Sequence, residues 1–145
     1  MSEYIYNVNL DWIADRKGVM DSPELNDKIE VVTPPPFPKG IEGMWSPEHL
    51  YTASILGCFM TTFLAVAENS KLEFTKFSCQ AQGKLGMVEN KYMMTDVWLK
   101  PKLEMVHEKD IERAGRILQK SEAACLISNS VKSTIHFEPM VFLKK

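Results

Sequence analysis

Ser46-Pro47-Glu48-His49-Leu50-Tyr51-Thr52-Ala53-Ser54-Ile55-Leu56-Gly57-Cys58-Phe59-Met60-Thr61-Thr62-Phe63-Leu64-Ala65-Val66-Ala67 begins like a helix and carries no charged side chain from Leu50 onward. Serine is a favoured N-cap, and proline is preorganised for the first helical position. An acid in the first turn suits the positive end of the helix dipole. Leu50, Ala53, Ile55, Leu56, Phe59, Met60, Phe63, Leu64 and Val66 fall on every side of the helix. A helix that is apolar all round is one that is covered all round. At about 18 residues the run is also near the lower limit for a membrane span. The scattered Thr52, Ser54, Thr61 and Thr62, and the amphipathic elements elsewhere, favour a buried helix over a membrane segment. A chain of 145 residues has difficulty surrounding such a helix, and a second copy would complete the cover.

Working outward, Tyr4, Tyr6, Val8 and Leu10 alternate, which predicts a strand. Asp15-Arg16-Lys17-Gly18 reads as a turn and residues 28–33 as a second strand. Pro34-Pro35-Pro36-Phe37-Pro38-Lys39-Gly40 then breaks regular structure as a connecting loop. Past the long helix, Phe77, Cys79, Ala81, Gly83 and Leu85 alternate with Ser78, Gln80, Gln82 and Lys84. A hairpin loop is expected at Glu89-Asn90, with a return strand over residues 92–105 and Pro101 marking an edge or a bend. Residues 110–124 have helical periodicity: Ile111, Ala114, Ile117, Leu118 and Ser121 lie opposite Arg113, Arg116 and Lys120. Ile135, Phe137 and Val141 predict a closing strand. The pattern is an α+β class with mainly antiparallel pairing, in one domain over residues 1–145.

Composition narrows the function. The chain is 45% hydrophobic and 25% charged, with a formal net charge of −2, and it lacks a basic stripe interleaved with aromatics. Nucleic-acid binding therefore has no electrostatic footprint. The N-terminus lacks the basic-then-apolar pattern of a signal peptide. Three cysteines without paired spacing do not form a secreted disulfide framework, so a reducing cytoplasm is expected. There is no C-x-x-C or H-x-x-x-H pair for zinc, and His49, His107 and His136 read as surface or helix-end residues. Each cysteine has a bland reading as a small buried hydrophobe: Cys58 within the long helix, Cys125 on the apolar face of the second helix, Cys79 on the inner face of a strand.

Two stretches together raise Cys58 and Cys125 above that reading. Ser46-Pro47-Glu48-His49-Leu50 followed by Gly57-Cys58-Phe59 resembles the helix signature of the OsmC/Ohr family of organic hydroperoxide reductases. Ser121-Glu122-Ala123-Ala124-Cys125-Leu126-Ile127-Ser128-Asn129-Ser130 resembles that family's second cysteine motif, with Leu126 where many relatives carry proline. The order of elements is similar along nearly the whole chain. The resemblance implies an OsmC-like fold, with antiparallel sheets around a long buried helix in an intertwined homodimer. It implies a peroxidatic cysteine at Cys58, a resolving cysteine at Cys125 and a glutamate at Glu48. It also implies an N-terminal arginine pairing with that acid, best matched by Arg16. Bland readings of the last two are a helix-start acid and a solvated turn cation.

The implied chemistry is reduction of an organic hydroperoxide to its alcohol through a Cys58 sulfenic acid and a Cys58–Cys125 disulfide, reset by an external dithiol. No metal, flavin or haem is implied. A thiolate attacks peroxide and a thiol barely does. Cys58 lies too far into its helix to feel the N-terminal dipole, and burial would raise its pKa, so a cation such as arginine is expected beside it. Glu48 and Cys58 are ten positions apart, about 15 Å along a helix and about 80° apart in direction. If both serve one site, the simplest arrangement takes Arg16 and Glu48 from one chain and both cysteines from the other. The contrasting expectation is a non-enzymatic OsmC-like domain that binds a small apolar ligand or a protein partner. A third is a plain structural dimer with inert cysteines.

Overall fold

The structure, a computed structural model, describes residues 2–145. The chain divides into two compact units, Met1–Leu50 and Tyr51–Lys145.

The first unit is a three-stranded antiparallel sheet of β1 (Asn9–Ala14), β2 (Lys17–Asp21) and β3 (Ile29–Val32), in that order. The strand expected from Tyr4 begins instead at Asn9, because β1 finds its partner from Asn9↔Asp21 onward and β2 ends there. Residues 4–8 alternate but have no partner strand among the described residues, and Tyr4, Tyr6 and Val8 stay exposed. Asn7 is held instead by Glu24, its N–H donating to Oε2 at 3.1 Å and its side-chain amide to Oε1 at 3.0 Å. The expected four-residue turn is shorter: Asp15-Arg16 makes it, and Lys17-Gly18 already belong to β2.

Helix α1 runs Pro47–Asn69. Ser46 caps it as expected, its Oγ accepting the His49 N–H at 3.1 Å while His49 Nδ1 lies 2.7 Å from the same oxygen. At the far end, Leu72 N–H donates to Ala67 O and Lys71 N–H to Glu68 O, with Lys71 at φ 54°. This is a Schellman stop with lysine in the left-handed position that usually goes to glycine.

In the second unit, β4 (Phe74–Val88) and β5 (Lys91–Met105) form a long hairpin. Glu89 and Asn90 make its two-residue loop, both at positive φ, the geometry that matches strand twist. After α2 (Ile111–Ala124), β6 (Thr134–Phe137) and β7 (Met140–Leu143) both pair with β5, and both run parallel to it. The single closing strand is thus two, in one continuous register, interrupted at Glu138-Pro139 where proline offers no N–H. The parallel direction follows from the α2 crossover, which returns the chain to the end of β5 from which it runs alongside. Pro101 lies in the middle strand rather than at an edge, fully buried and level with that interruption.

Phe59 and Phe63 of α1 are fully buried and pack on Phe77, Phe74 and Phe137, with the closest ring pair, Phe63–Phe77, at 4.7 Å. Val97, Leu99, Leu103 and Met105 of β5 and Ala114 and Leu118 of α2 complete this core. The helix α1 is long and apolar enough to cross a membrane by length and composition, yet Ile55, Phe59, Phe63 and Ala67 form a buried stripe within the protein. Away from that stripe, Met60 and Leu64 stand exposed.

Candidate active site

Two of the sequence-predicted residues meet. Cys58 precedes the buried Phe59 on α1, so the packing of that ring fixes where its sulfur lies. Cys125 ends α2, whose buried stripe of Ala114, Ile117, Leu118 and Ser121 leads to it. Each thiol is among the causes of the other's pKa shift, and both are free. Cys58 is partly exposed and Cys125 fully buried, so a molecule arriving from solvent meets Cys58 first.

The turn after Cys125 is closed by its own polar groups. Asn129 N–H donates to Cys125 O at 3.0 Å and Ser130 N–H to Ile127 O at 2.9 Å. Ser130 Oγ donates to Leu126 O at 2.8 Å, and the Asn129 side-chain amide to Ala123 O at 3.1 Å. These bonds fix the turn that follows Cys125.

The two sulfurs are driven apart electrostatically. Burial pushes the Cys58 thiol up, but hydrogen bonds from the Ile127 main chain, the Cys125 thiol, Thr62 and the Leu126 main chain outweigh it. The net pKa lies below the ordinary thiol value. The Thr62 hydroxyl is 4.0 Å from Cys58 Sγ, one helical turn on. Cys125 is raised, first by burial and further by the hydrogen bond and negative charge of Cys58, against a pull downward from Ser128. Within this chain it is hydrogen-bond donors that lower Cys58, since each favours the charged form. Sequence reasoning missed these donors because two of them are main-chain groups, which no side-chain pattern marks.

Cys79 stands apart on β4 opposite Pro101. It is half-buried, and burial pushes it up to about 11, against a small opposing contribution from the Lys100 main chain.

Arg16 lies in the β1–β2 turn, where its carbonyl accepts the Thr33 N–H at 3.4 Å. Its side chain lines a cleft of about 200 Å³ with Leu10, Trp12, Val31 and Pro47. Glu48 follows Pro47 in the first turn of α1. Lys39, the cation of the loop before the helix, is joined to Asp15 at 3.3 Å.

The sequence pattern of the family described as OsmC-like protein matches residues 40–139. The uncharacterized protein YmaD of Bacillus subtilis strain 168 is 19% identical over 146 residues, covering 95% of this chain and 93% of YmaD. Among solved structures, an OsmC-like protein of unknown function from Vibrio cholerae superposes with a TM-score of 0.83 at 22% identity, over 97% of this chain and 100% of that one. An organic hydroperoxide resistance protein from Elizabethkingia anophelis superposes with a TM-score of 0.78 at 22% identity, over 99% of each. With the fold shared along its length and the family pattern covering both cysteines, the chain belongs to the OsmC-like protein family.

Proposed function

We propose that this protein is a thiol-dependent peroxidase that reduces organic hydroperoxides to alcohols. The observation that carries the reading is the pair of neighbouring thiols with opposite tendencies: Cys58 reachable and inclined to ionise, Cys125 buried and held protonated. That division suits a nucleophile and a thiol waiting behind it. The hydroperoxide resistance name of a structural relative points the same way.

In this reading the Cys58 thiolate attacks the distal oxygen of ROOH. The O–O bond breaks, the departing alkoxide takes a proton to become ROH, and the sulfur becomes a sulfenic acid. Cys125, as thiolate, then attacks that sulfur. The S–O bond breaks, hydroxide leaves and is protonated to water, and a Cys58–Cys125 disulfide closes. An external dithiol restores both thiols through a mixed disulfide. Arg16, oriented by Glu48, polarises the peroxide, a task suited to a permanently charged fork of donors. These two come from the second chain of a homodimer, whose apolar surface would also cover the open faces of α1 bearing Met60 and Leu64. The setting is a reducing cytoplasm.

The test is consumption of cumene hydroperoxide with dithiothreitol. Wild type turns over, and Cys58→Ser, nearly isosteric and with an unchanged circular dichroism spectrum, does not. Wild-type turnover in the folded variant would overturn the assignment.

A further inference from the structure

The hydroxyls of α1 show an ordinary use and one departure from it. Ser54 Oγ donates to Tyr51 O at 2.7 Å and Thr61 Oγ1 to Cys58 O at 3.1 Å, each three residues back. That is where a serine or threonine inside a helix commonly spends its hydrogen. Thr62 would reach the same Cys58 carbonyl, four residues back. A carbonyl oxygen has two lone pairs. Within the helix the Thr62 N–H takes one, and the Thr61 hydroxyl takes the other. The Thr62 hydroxyl meets Cys58 Sγ instead, at 4.0 Å in a part-buried contact.

Packing keeps the two groups together. Cys58 and Thr62 immediately precede Phe59 and Phe63, which are fully buried with their rings stacked 6.4 Å apart. The rings fix this turn of the helix, so the sulfur and the hydroxyl, displaced by one residue along it, hold a set spacing. The contact also serves both states of the sulfur. A thiol can donate to the hydroxyl oxygen, whereas a thiolate only accepts, and the hydroxyl then donates. A hydrogen bond to an ionised acceptor is shorter and about twice as strong as a neutral one, so the contact closes up when Cys58 loses its proton.

We propose that Thr62 is a positioning residue for Cys58: its hydroxyl, kept off the main chain by Thr61, holds the sulfur as a thiolate. This rests on the peroxidase reading for its purpose, though not for its geometry. No charged side chain lies between Leu50 and Ala67 on α1, and the titratable group that bears on Cys58 from another element is Cys125 at the end of α2. The Thr62 hydroxyl thus comes from the same helix as the sulfur it serves and requires no other element to move.

The measurement is the rate of iodoacetamide labelling at Cys58 across pH, read by peptide mapping on the full-length protein. Thr62→Val removes the hydroxyl and keeps the branched shape, Thr62→Ala removes it in a residue that favours helix, and Thr62→Ser keeps it. Loss of one hydrogen bond to a charged acceptor should slow labelling about tenfold below the thiol's midpoint, with the high-pH rate unchanged. Thr62→Ser should keep the wild-type profile. Thr61→Val, at an exposed position, frees the Cys58 carbonyl for the Thr62 hydroxyl and should move the profile the same way by a smaller amount. The double variant Thr61→Val/Thr62→Val should then match Thr62→Val alone, because both changes act through one hydroxyl. A folded Thr62→Val or Thr62→Ala with the wild-type profile overturns the proposal. So does a Thr62→Ser as slow as Thr62→Val, or a double variant slower than Thr62→Val. Peroxide turnover separates this from failure of the peroxidase reading. A protein without turnover whose labelling shifts as described keeps the Thr62 role and loses the function, and an active protein with unshifted labelling does the reverse.

Discussion

Cys79 offers a quantitative check on whether burial alone separates inert from reactive thiols here. Its pKa of about 11 stands about two units above that of an exposed thiol. An acid whose folded pKa is raised leaves stability intact below the unfolded value. It removes stability as pH climbs from there to the folded value, because the unfolded chain ionises first. The window is therefore from about pH 9 to pH 11. Two units correspond to about 2.7 kcal/mol, and solvent screening at a half-buried position reduces this to about 1–2 kcal/mol. The perturbation is Cys79→Ala, compared with wild type by urea unfolding at pH 8 and at about pH 11, so that lysine and tyrosine titrations cancel in the difference. The variant starts less stable at pH 8 from its lost sulfur packing, and the gap narrows or reverses by about 1–2 kcal/mol at the upper pH. Parallel pH profiles for the two proteins would refute the argument that desolvation of a half-buried sulfur sets its chemistry.

Three further outcomes follow from the same geometry. Mild oxidation should join Cys58 to Cys125 and leave Cys79 free, since the first two influence each other's ionisation while Cys79 lies opposite Pro101 on β4; peptide mapping that finds Cys79 in the bridge, or no bridge, contradicts it. Mixing inactive Cys58→Ser chains with inactive Arg16→Ala chains, then unfolding and refolding them together, should restore about a quarter of wild-type turnover if each site is shared between subunits. A mixture that stays dead while mass data confirm mixed dimers rejects the shared site. Lys71→Gly should raise stability by about 1 kcal/mol in thermal unfolding, because Lys71 occupies the left-handed stop of α1 at φ 54°, and an unchanged or lower midpoint speaks against strain there.

The elements legible in the sequence are those whose signals are local. Ser46 caps α1 because its own hydroxyl reaches a main-chain N–H three residues on. The β4–β5 hairpin turns at Glu89-Asn90 because two flanking alternating runs converge there. Where pairing decides, the pattern misled: Tyr4, Tyr6 and Val8 alternate like a strand but lie beyond the end of β2. Lys17-Gly18 has turn composition yet pairs with Val32 and Val31. The parallel direction of β6 and β7 is set by the α2 crossover and not by any residue within them. At the candidate site, the two cysteines were marked by their motifs. Their electrostatic difference was not, because it depends on burial and on neighbouring groups that the motifs do not mark.

That difference also supplies an order of events for the proposed chemistry. Two thiols in contact would gain nothing if both ionised at once, since each charge disfavours the other. Here Cys58 is lowered and Cys125 raised, so Cys58 is the one that ionises, and its charge is among the causes that hold Cys125 protonated. Cys125 is thus restrained by the very state that attacks peroxide. Conversion of Cys58 to a neutral sulfenic acid removes that charge, while the Ser128 hydroxyl and main chain continue to favour the Cys125 thiolate. The second nucleophile is released by the product of the first step. Burial of Cys125 adds a second safeguard, because a peroxide meets Cys58 before it can reach the resolving sulfur. A lone exposed cysteine has neither control, and its sulfenic acid would stay open to a further equivalent of peroxide.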